Sequence, residues 1–365
     1  MDKRIYNSQL WLSDLDIAVN ALPVLQALSG KSVLVTGATG LICSAVVDVL
    51  LRFNQRSSHP IRIFLAGRSL KTAENRFGEL VHQQSLSFLH FNAVNAEEKL
   101  NYLHFDYIIH GAGNATPSKM MAEPVETMLD NFFGMKSLLD CAKERKTKRV
   151  LYLSSSEVYG KKESSGAYRE NEYGYVDLLN PRSAYPMGKR AAETLCISYI
   201  NEYGVDCVIA RPGHIYGPTA SPNDSRVSSV WAHASAKGEN IVMKSKGDQL
   251  RSYCYCLDCA SAILTILIKG QTGCAYNISN PESVVTIKEM AEYLAKAGGV
   301  SLIQQLPTET ELRMFNPMSN SSLESSLLSA LGWRGYFNAK QGFGHTVTVL
   351  KHIYAAGTNN SERHI

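Results

Sequence analysis

The chain has 365 residues, of which 45% are apolar and 19% charged, and its formal net charge is +4. That is enough apolar material for one large domain or two unequal ones, and the mild, dispersed positive charge gives no footing for nucleic acid. No apolar run reaches the roughly 18 residues of a membrane span. Asp14 and Asp16 interrupt any signal-peptide core, so a cytoplasmic location is expected.

Residues 1–30 precede the first strand and read as a helical extension, with the apolar spacing of Trp11–Leu28 broken at Pro23. Val33–Val35 is a short apolar run of the kind that forms a buried parallel strand. Gly37 and Gly40 then turn the chain into a predicted helix over Leu41–Leu51. Glycines at such a turn let backbone N–H groups approach a pyrophosphate at the helix N-terminus. The third glycine of that pattern is replaced by Cys43.

Further strands are predicted at Ile61–Ala66, Leu86–Phe91, Tyr107–His110, Val150–Leu153 and Cys207–Ala210. Helices are predicted between them at Leu70–Val81, Val125–Lys143 and Tyr185–Tyr203. The basic run Lys143–Arg149 reads as a solvated helix end ahead of a strand. The rhythm predicts an α/β fold, a Rossmann-type doubly wound parallel sheet. Ligands of such sheets sit beyond the carboxyl ends of the strands, where Gly37, Arg68, Gly111, Ser155 and Arg211 fall.

After Tyr216-Gly217-Pro218 the alternation stops. A helix near Val230–Lys237, a hairpin spanning Ile241–Tyr255 and helices at Asp258–Lys269 and Thr286–Ala297 are predicted. The expected organisation is an extension over 1–30, a dinucleotide-binding domain over 31–215, a smaller substrate-binding lobe over 216–355 with some return to the first domain, and a frayed tail over 356–365. Eight cysteines fit a reducing compartment. Cys254, Cys256 and Cys259 lack a second Cys/His set, so core packing is expected there, with Cys254 and Cys256 on a strand, and no metal.

The chemistry concentrates in Ser154-Ser155-Ser156-Glu157-Val158-Tyr159-Gly160 and in Tyr185 with Lys189. A tyrosine is a poor base at its ordinary pKa of about 10. A lysine four residues on shares its helix face, and its charge is expected to lower the tyrosine pKa. Ser155 supplies a hydroxyl and Glu157 a carboxylate beside this pair. Asn131 is a candidate brace for the Tyr185 loop, and Arg182 reads as a structural residue.

Together with His110-Gly111-Ala112-Gly113-Asn114-Ala115-Thr116, Asn131, Arg211–Pro218 and Leu250–Asp258, these motifs resemble the extended short-chain dehydrogenase/reductases, the NAD-dependent epimerase/dehydratase family of nucleotide-sugar enzymes. The resemblance covers about Lys31 to Trp333. Within the family, Asn180–Arg211, Asn223–Val227 and Tyr276–Glu282 look like UDP-glucuronate decarboxylases. The resemblance implies NAD held by Gly37, Gly40, Leu41, Ile42, Arg68, Asn92, Ala93, Gly111, Ala112, Tyr185, Lys189 and Pro212. It implies catalysis by Tyr185, Lys189, Ser155 and Glu157. Substrate contacts are implied at Asn114, Ser156, His214, Arg226 and Arg251.

Departures are His214 where the family has Asn, Asn92 where an Asp is frequent, and Arg68 where many NAD-using members have an acid. Arg68 keeps NADP open as the cofactor. The expected activity is oxidation of a sugar at C4, then decarboxylation or dehydration at C5/C6, with the hydride returned. A 4-epimerase, an NADPH-dependent 4-ketoreductase and a dinucleotide-binding regulatory protein are the alternatives. The resemblance also implies a homodimer through Val125–Lys143 and Tyr185–Tyr203, and a setting in polysaccharide biosynthesis.

Overall fold

The computed structural model describes residues 2–93, 103–163, 166–305, 307–308 and 319–361, the last five without side chains. The first half alternates strand and helix. Its strands are β1 (Ser32–Thr36), β2 (Arg62–Gly67), β3 (Leu86–His90), β4 (Tyr107–His110), β5 (Arg149–Leu153) and β6 (Cys207–Pro212). The remaining strands are β7 (His214–Tyr216), β8 (Ile241–Met243), β9 (Leu250–Tyr255), β10 (Ala275–Ile278), β11 (Val284–Thr286), β12 (Leu302–Gln304) and β13 (Asn320–Ser321). Helices α1 (Gln9–Asn20), α2 (Leu41–Asn54), α3 (Leu70–Phe77), α4 (Pro117–Ala122), α5 (Pro124–Arg145), α6 (Ala184–Tyr203), α7 (Val227–Ala236), α8 (Cys256–Lys269) and α9 (Ile287–Gly298) cover the sheet faces and the lobe. Two more helices, Ser326–Ala330 and Ala339–Ser361, follow.

The main sheet runs β3-β2-β1-β4-β5-β6-β10, and every pair in it is parallel. Both faces of such a sheet must be covered, which is why its strands are near-continuous apolar runs. Val33 and Val35 of β1 join the core shared with α1, α2 and α8. Leu34 points the other way, into the core of α5 and α6. The strand order reverses between β1 and β4, and this switch point opens a crevice at their carboxyl ends.

The N-terminal extension is tied down by buried polar groups. Tyr6 donates to Asp48 of α2 at 2.7 Å, Arg76 of α3 donates to Tyr6 at 2.8 Å, and Arg76 pairs with Asp48. Asp14 of α1 accepts from Tyr255 at 3.0 Å and lies 3.0 Å from His345 of the C-terminal helix.

Four local expectations change. The stretch Ile241–Tyr255 is not a hairpin. β8 pairs in parallel with β12, and β9 pairs with β7, β11 and β13. Between them Gly247, at φ +75°, lets the loop cross the start of α9, whose Ile287 and Lys288 N–H groups it accepts at 3.1 and 3.0 Å. The helix predicted to reach Val81 stops at Phe77, because Gly78 caps it at φ +60° and a 3-10 turn follows. Cys256 opens α8 rather than continuing the strand, although Cys254, Cys256 and Cys259 are all buried. The C-terminal helix runs on to Ser361, into the stretch expected to fray, whose last residues, 362–365, lie outside the described ones. Among the described residues, no helix is long and apolar enough to cross a membrane.

Candidate active site

Two halves meet at the switch point. The first is a backbone cradle. Gly37 adopts φ +65°, and a Cβ there would lie 2.7 Å from the Gly111 carbonyl oxygen. Only glycine lets the β1–α2 turn lie against the β4 loop. Thr36 Oγ1 accepts from the Gly111 and Ala112 N–H groups at 3.2 Å each and meets His110 Nδ1 at 2.7 Å, fixing that loop from below.

Gly40 is the N-cap of α2 and brings no capping side chain, so the first-turn N–H groups are left for a ligand oxygen. Leu41 and Ile42 are those first-turn residues. A cavity of about 210 Å³ continues from the turn, lined by Ala38, Thr39, Gly67, Arg68 and Ser69 among others. A long anion with an apolar end fits this combination of bare helix N-terminus and side cavity.

Cys43 resolves the missing third glycine. Its buried sulfur packs on Gly111, where any Cβ would overlap it. The small residue has moved to the opposite wall, and close packing of helix and strand is kept. Ala93 packs against α5 at Gly134, and half-buried Asn92 precedes it. Pro212 closes β6 at the same sheet edge.

The second half is built on β5 and α6. Gly188 lets α6 sit close against Met128 of α5, which sets the depth of α6. Tyr185 and Lys189 are buried one turn apart on α6. Ser155 follows β5, and its hydroxyl pulls the Tyr185 pKa down. Glu157 enters the 3-10 turn Ser156–Tyr159, and its N–H donates to Ser155 Oγ at 3.2 Å. Lys189 Nζ donates to the Leu153 carbonyl at 2.8 Å and lies 5.8 Å from the Tyr185 ring centre. All four expected catalytic residues come together.

The electrostatics correct one expectation. The protein's own groups do not lower the Tyr185 pKa. Burial, then the Glu157 charge, push it up to about 12, while the Ser155 hydroxyl, Arg226 and Arg182 pull down. The cost of the shared burial falls on Lys189 too, which desolvation pushes down to about 8 against the charge of Glu193.

Two arginines, Arg226 and Arg182, act on Tyr185, and a third, Arg251, acts on His214. Arg226 is fixed by Asp224, with Nε 3.0 Å from each carboxylate oxygen. Arg251 is buried, and both it and Arg226 act on His214, whose pKa falls to about 4, first through burial. His214 therefore stands neutral, 3.2 Å from Ser321 Oγ. Arg182 donates to Glu157 Oε1 at 2.8 Å, with its guanidinium carbon 5.9 Å from the Tyr185 ring centre.

Asn114 and Ser156 are half-buried. Asn131 does not reach the Tyr185 loop through a hydrogen bond. Its Nδ2 donates to Thr127 at 2.7 Å on its own helix, and its side chain packs against Gly113 and Gly188.

Several contacts of this cluster were not legible in the sequence. Arg182, read as structural, pairs with Glu157. Arg190 donates to the carbonyls of Val158 at 2.7 Å and Gly174 at 3.0 Å, tying α6 to the Glu157 loop. Arg211 grips Glu193 of α6 through two bonds of 2.9 and 2.6 Å. Glu193 stands one helical turn beyond Lys189, and that spacing was the available signal.

Residues 33–279 match the model of the NAD dependent epimerase/dehydratase family. The chain belongs to this family. It is an NAD-dependent enzyme. The chain is 28% identical over 336 residues to UDP-glucuronic acid decarboxylase 1 of Xenopus tropicalis, covering 90% of this chain and 74% of the relative. It is 32% identical over 321 residues to UDP-glucuronic acid decarboxylase 1 of Arabidopsis thaliana, covering 87% and 69%. Its fold matches the crystal structure of UDP-glucuronic acid 4-epimerase from Bacillus cereus in complex with UDP-glucuronic acid and NAD. That match has a TM-score of 0.75 at 21% identity and covers 88% of this chain and all of the other.

Proposed function

We propose that this enzyme modifies a nucleotide sugar by oxidation at C4 and decarboxylation at C5, with UDP-glucuronate as substrate. The observation that carries the reading is a carboxylate at the catalytic tyrosine. Glu157 raises the Tyr185 pKa and is held in place by Arg182 and the Ser155 hydroxyl. Moving a proton at C4 alone calls for no such group. The decarboxylase relatives support the same choice.

NAD would be held by the Gly37, Gly40, Leu41 and Ile42 turn, by Gly111 and Ala112, and by Lys189. Bound NAD supplies an acceptor for the C4 hydride and gives the hydride back at the end of the cycle. The chain's own part begins with the O4 proton, which Ser155 and Tyr185 are placed to take. The chain's own groups leave Tyr185 up at about 12, and Lys189, one turn away, would favour tyrosinate only together with the positive charge of bound NAD.

A C4 ketone makes the C5 carboxylate a β-keto acid. The C5–C6 bond then breaks, its electron pair moves into the C4 carbonyl, and CO2 leaves. Tyr185 meets the resulting enolate oxygen with its O–H. Glu157 handles the proton that C5 must gain. Arg226 and Arg251 are the cations for the diphosphate, with neutral His214 between them.

We also propose a homodimer. Val125, Met128, Leu129 and Phe133 of α5 and Ile197 of α6 are exposed, and these two helices pack on each other at the surface. A monomer at micromolar concentration in light scattering contradicts it. The test of the reaction is product mass from UDP-glucuronate with NAD. Loss of CO2 supports the reading, and an unchanged mass with a new retention time replaces it with 4-epimerisation.

A further inference from the structure

We propose that Arg182 selects a sugar that bears a carboxylate, an inference that rests on the decarboxylase reading above. Arg182 sits in the 3-10 turn Pro181–Ser183 that leads into α6. The turn is fixed from outside the side chain, since the Arg182 N–H donates to Asn180 Oδ1 at 3.0 Å. The guanidinium is placed by its bond to Glu157.

That position is over the reacting group. Its carbon lies 5.9 Å from the centre of the Tyr185 ring, whose hydroxyl must meet the sugar O4. The carboxylate of a uronic acid is carried on C5, the next ring carbon, so it falls beside the same guanidinium.

The hydrogen-bonding capacity is unspent. A guanidinium has five N–H donors in a planar fork suited to carboxylates. Among the described residues, the Arg182 side chain uses one, the 2.8 Å bond to Glu157. The contrast with its neighbour is direct. Arg226 is engaged on both oxygens of Asp224, which leaves it fewer free donors.

The pairing with Glu157 also has a consequence for anions. An incoming carboxylate meets the negative Glu157, and the like charges repel. Arg182 lies between the two and can serve both. A neutral hexose needs no such cation, so the preference belongs to the acidic sugar. When CO2 departs, the second anion is gone and Arg182 is left with Glu157 alone, which favours release of the decarboxylated product.

The test measures dissociation constants of UDP-glucuronate and UDP-glucose by calorimetry on the full chain with NAD, for wild type, Arg182→Gln and Arg182→Lys. Arg182→Gln is expected to weaken UDP-glucuronate at least tenfold and to leave UDP-glucose within twofold, so the neutral sugar doubles as the control for folding. Arg182→Lys restores part of the loss. Equal weakening of both sugars, or an unchanged ratio, overturns the proposal and leaves Arg182 as a brace for Glu157. Failure of the wild type to release CO2 from UDP-glucuronate overturns the reaction instead, because the affinity ratio still reports on Arg182.

Discussion

The compensation between Cys43 and Gly111 can be tested as a pair. Gly111→Ala places a methyl group into the Cys43 sulfur, with the Leu153 Cδ2 atom at 3.3 Å and the Thr36 carbonyl oxygen at 3.5 Å. The last contact is ordinary and the leucine can turn, so the sulfur decides the cost. Cys43 is 1% exposed on a helix whose next residues, Ser44 to Leu51, are all buried. Overpacking of this kind costs about 1–3 kcal/mol. The displaced loop also carries the N–H groups that Thr36 holds at 3.2 Å, so dinucleotide affinity falls as well.

Cys43→Ala removes the sulfur and costs on the order of 1 kcal/mol by itself. In the double variant the new methyl takes the space the sulfur left. The account predicts that Cys43→Ala/Gly111→Ala recovers most of the stability and the NAD affinity lost in Gly111→Ala. The coupling read from urea midpoints is about 1–3 kcal/mol. Unfolding midpoints and NAD titrations of the four proteins measure it. Effects that add to within about 0.5 kcal/mol refute the reasoning, since independent sites behave that way.

Tyr185→Phe is expected to lower kcat by about 10²–10⁴-fold, the usual contribution of a positioned acid or base, while NAD titration gives an affinity within twofold of wild type. Lys189 faces Cys43, held at about 12, His110, lowered to about 3, Tyr152, raised by burial, and Tyr185, at about 12. All four are neutral at pH 7, so Glu193 is the anion among the described groups acting on it. Activity that needs the ammonium is therefore lost as pH rises through about 8. Glu193→Gln moves that alkaline limb of kcat to lower pH, and an unmoved limb in a folded variant contradicts the link.

Asp258 is pushed up to about 7, first by burial. The folded chain keeps a proton that the unfolded chain releases from about pH 3.9. Its contribution to stability is full below that value and is lost as pH rises through about 7. Asp258→Asn should flatten the fall in urea stability between pH 5 and 8, by roughly 2–3 kcal/mol; parallel curves contradict it.

The sheet was readable because strands buried on both faces leave unbroken apolar runs, as at Val33–Val35 and Tyr107–His110. Tyr185 and Lys189 were readable because helical spacing puts them on one face. The lobe was less so. β8 and β9 look like a hairpin locally, yet each takes its partners from residues far along the chain. Arg182 lies 25 residues from Glu157, and Arg211 lies 18 from Glu193, with no periodicity linking either pair. His345 meets Asp14 across 331 residues. The Tyr185 pKa was misjudged for a related reason. A lysine on the same face is visible in sequence, but the burial that outweighs it is a property of the folded core.

The most direct test of the account is the mass of the product formed from UDP-glucuronate by the purified enzyme with NAD, compared with Glu157→Gln. The account predicts a loss of one CO2 in the wild type, with NAD regenerated, and a large fall in that rate in Glu157→Gln. A product of unchanged mass contradicts it, and so does decarboxylation at the full rate without the Glu157 carboxylate.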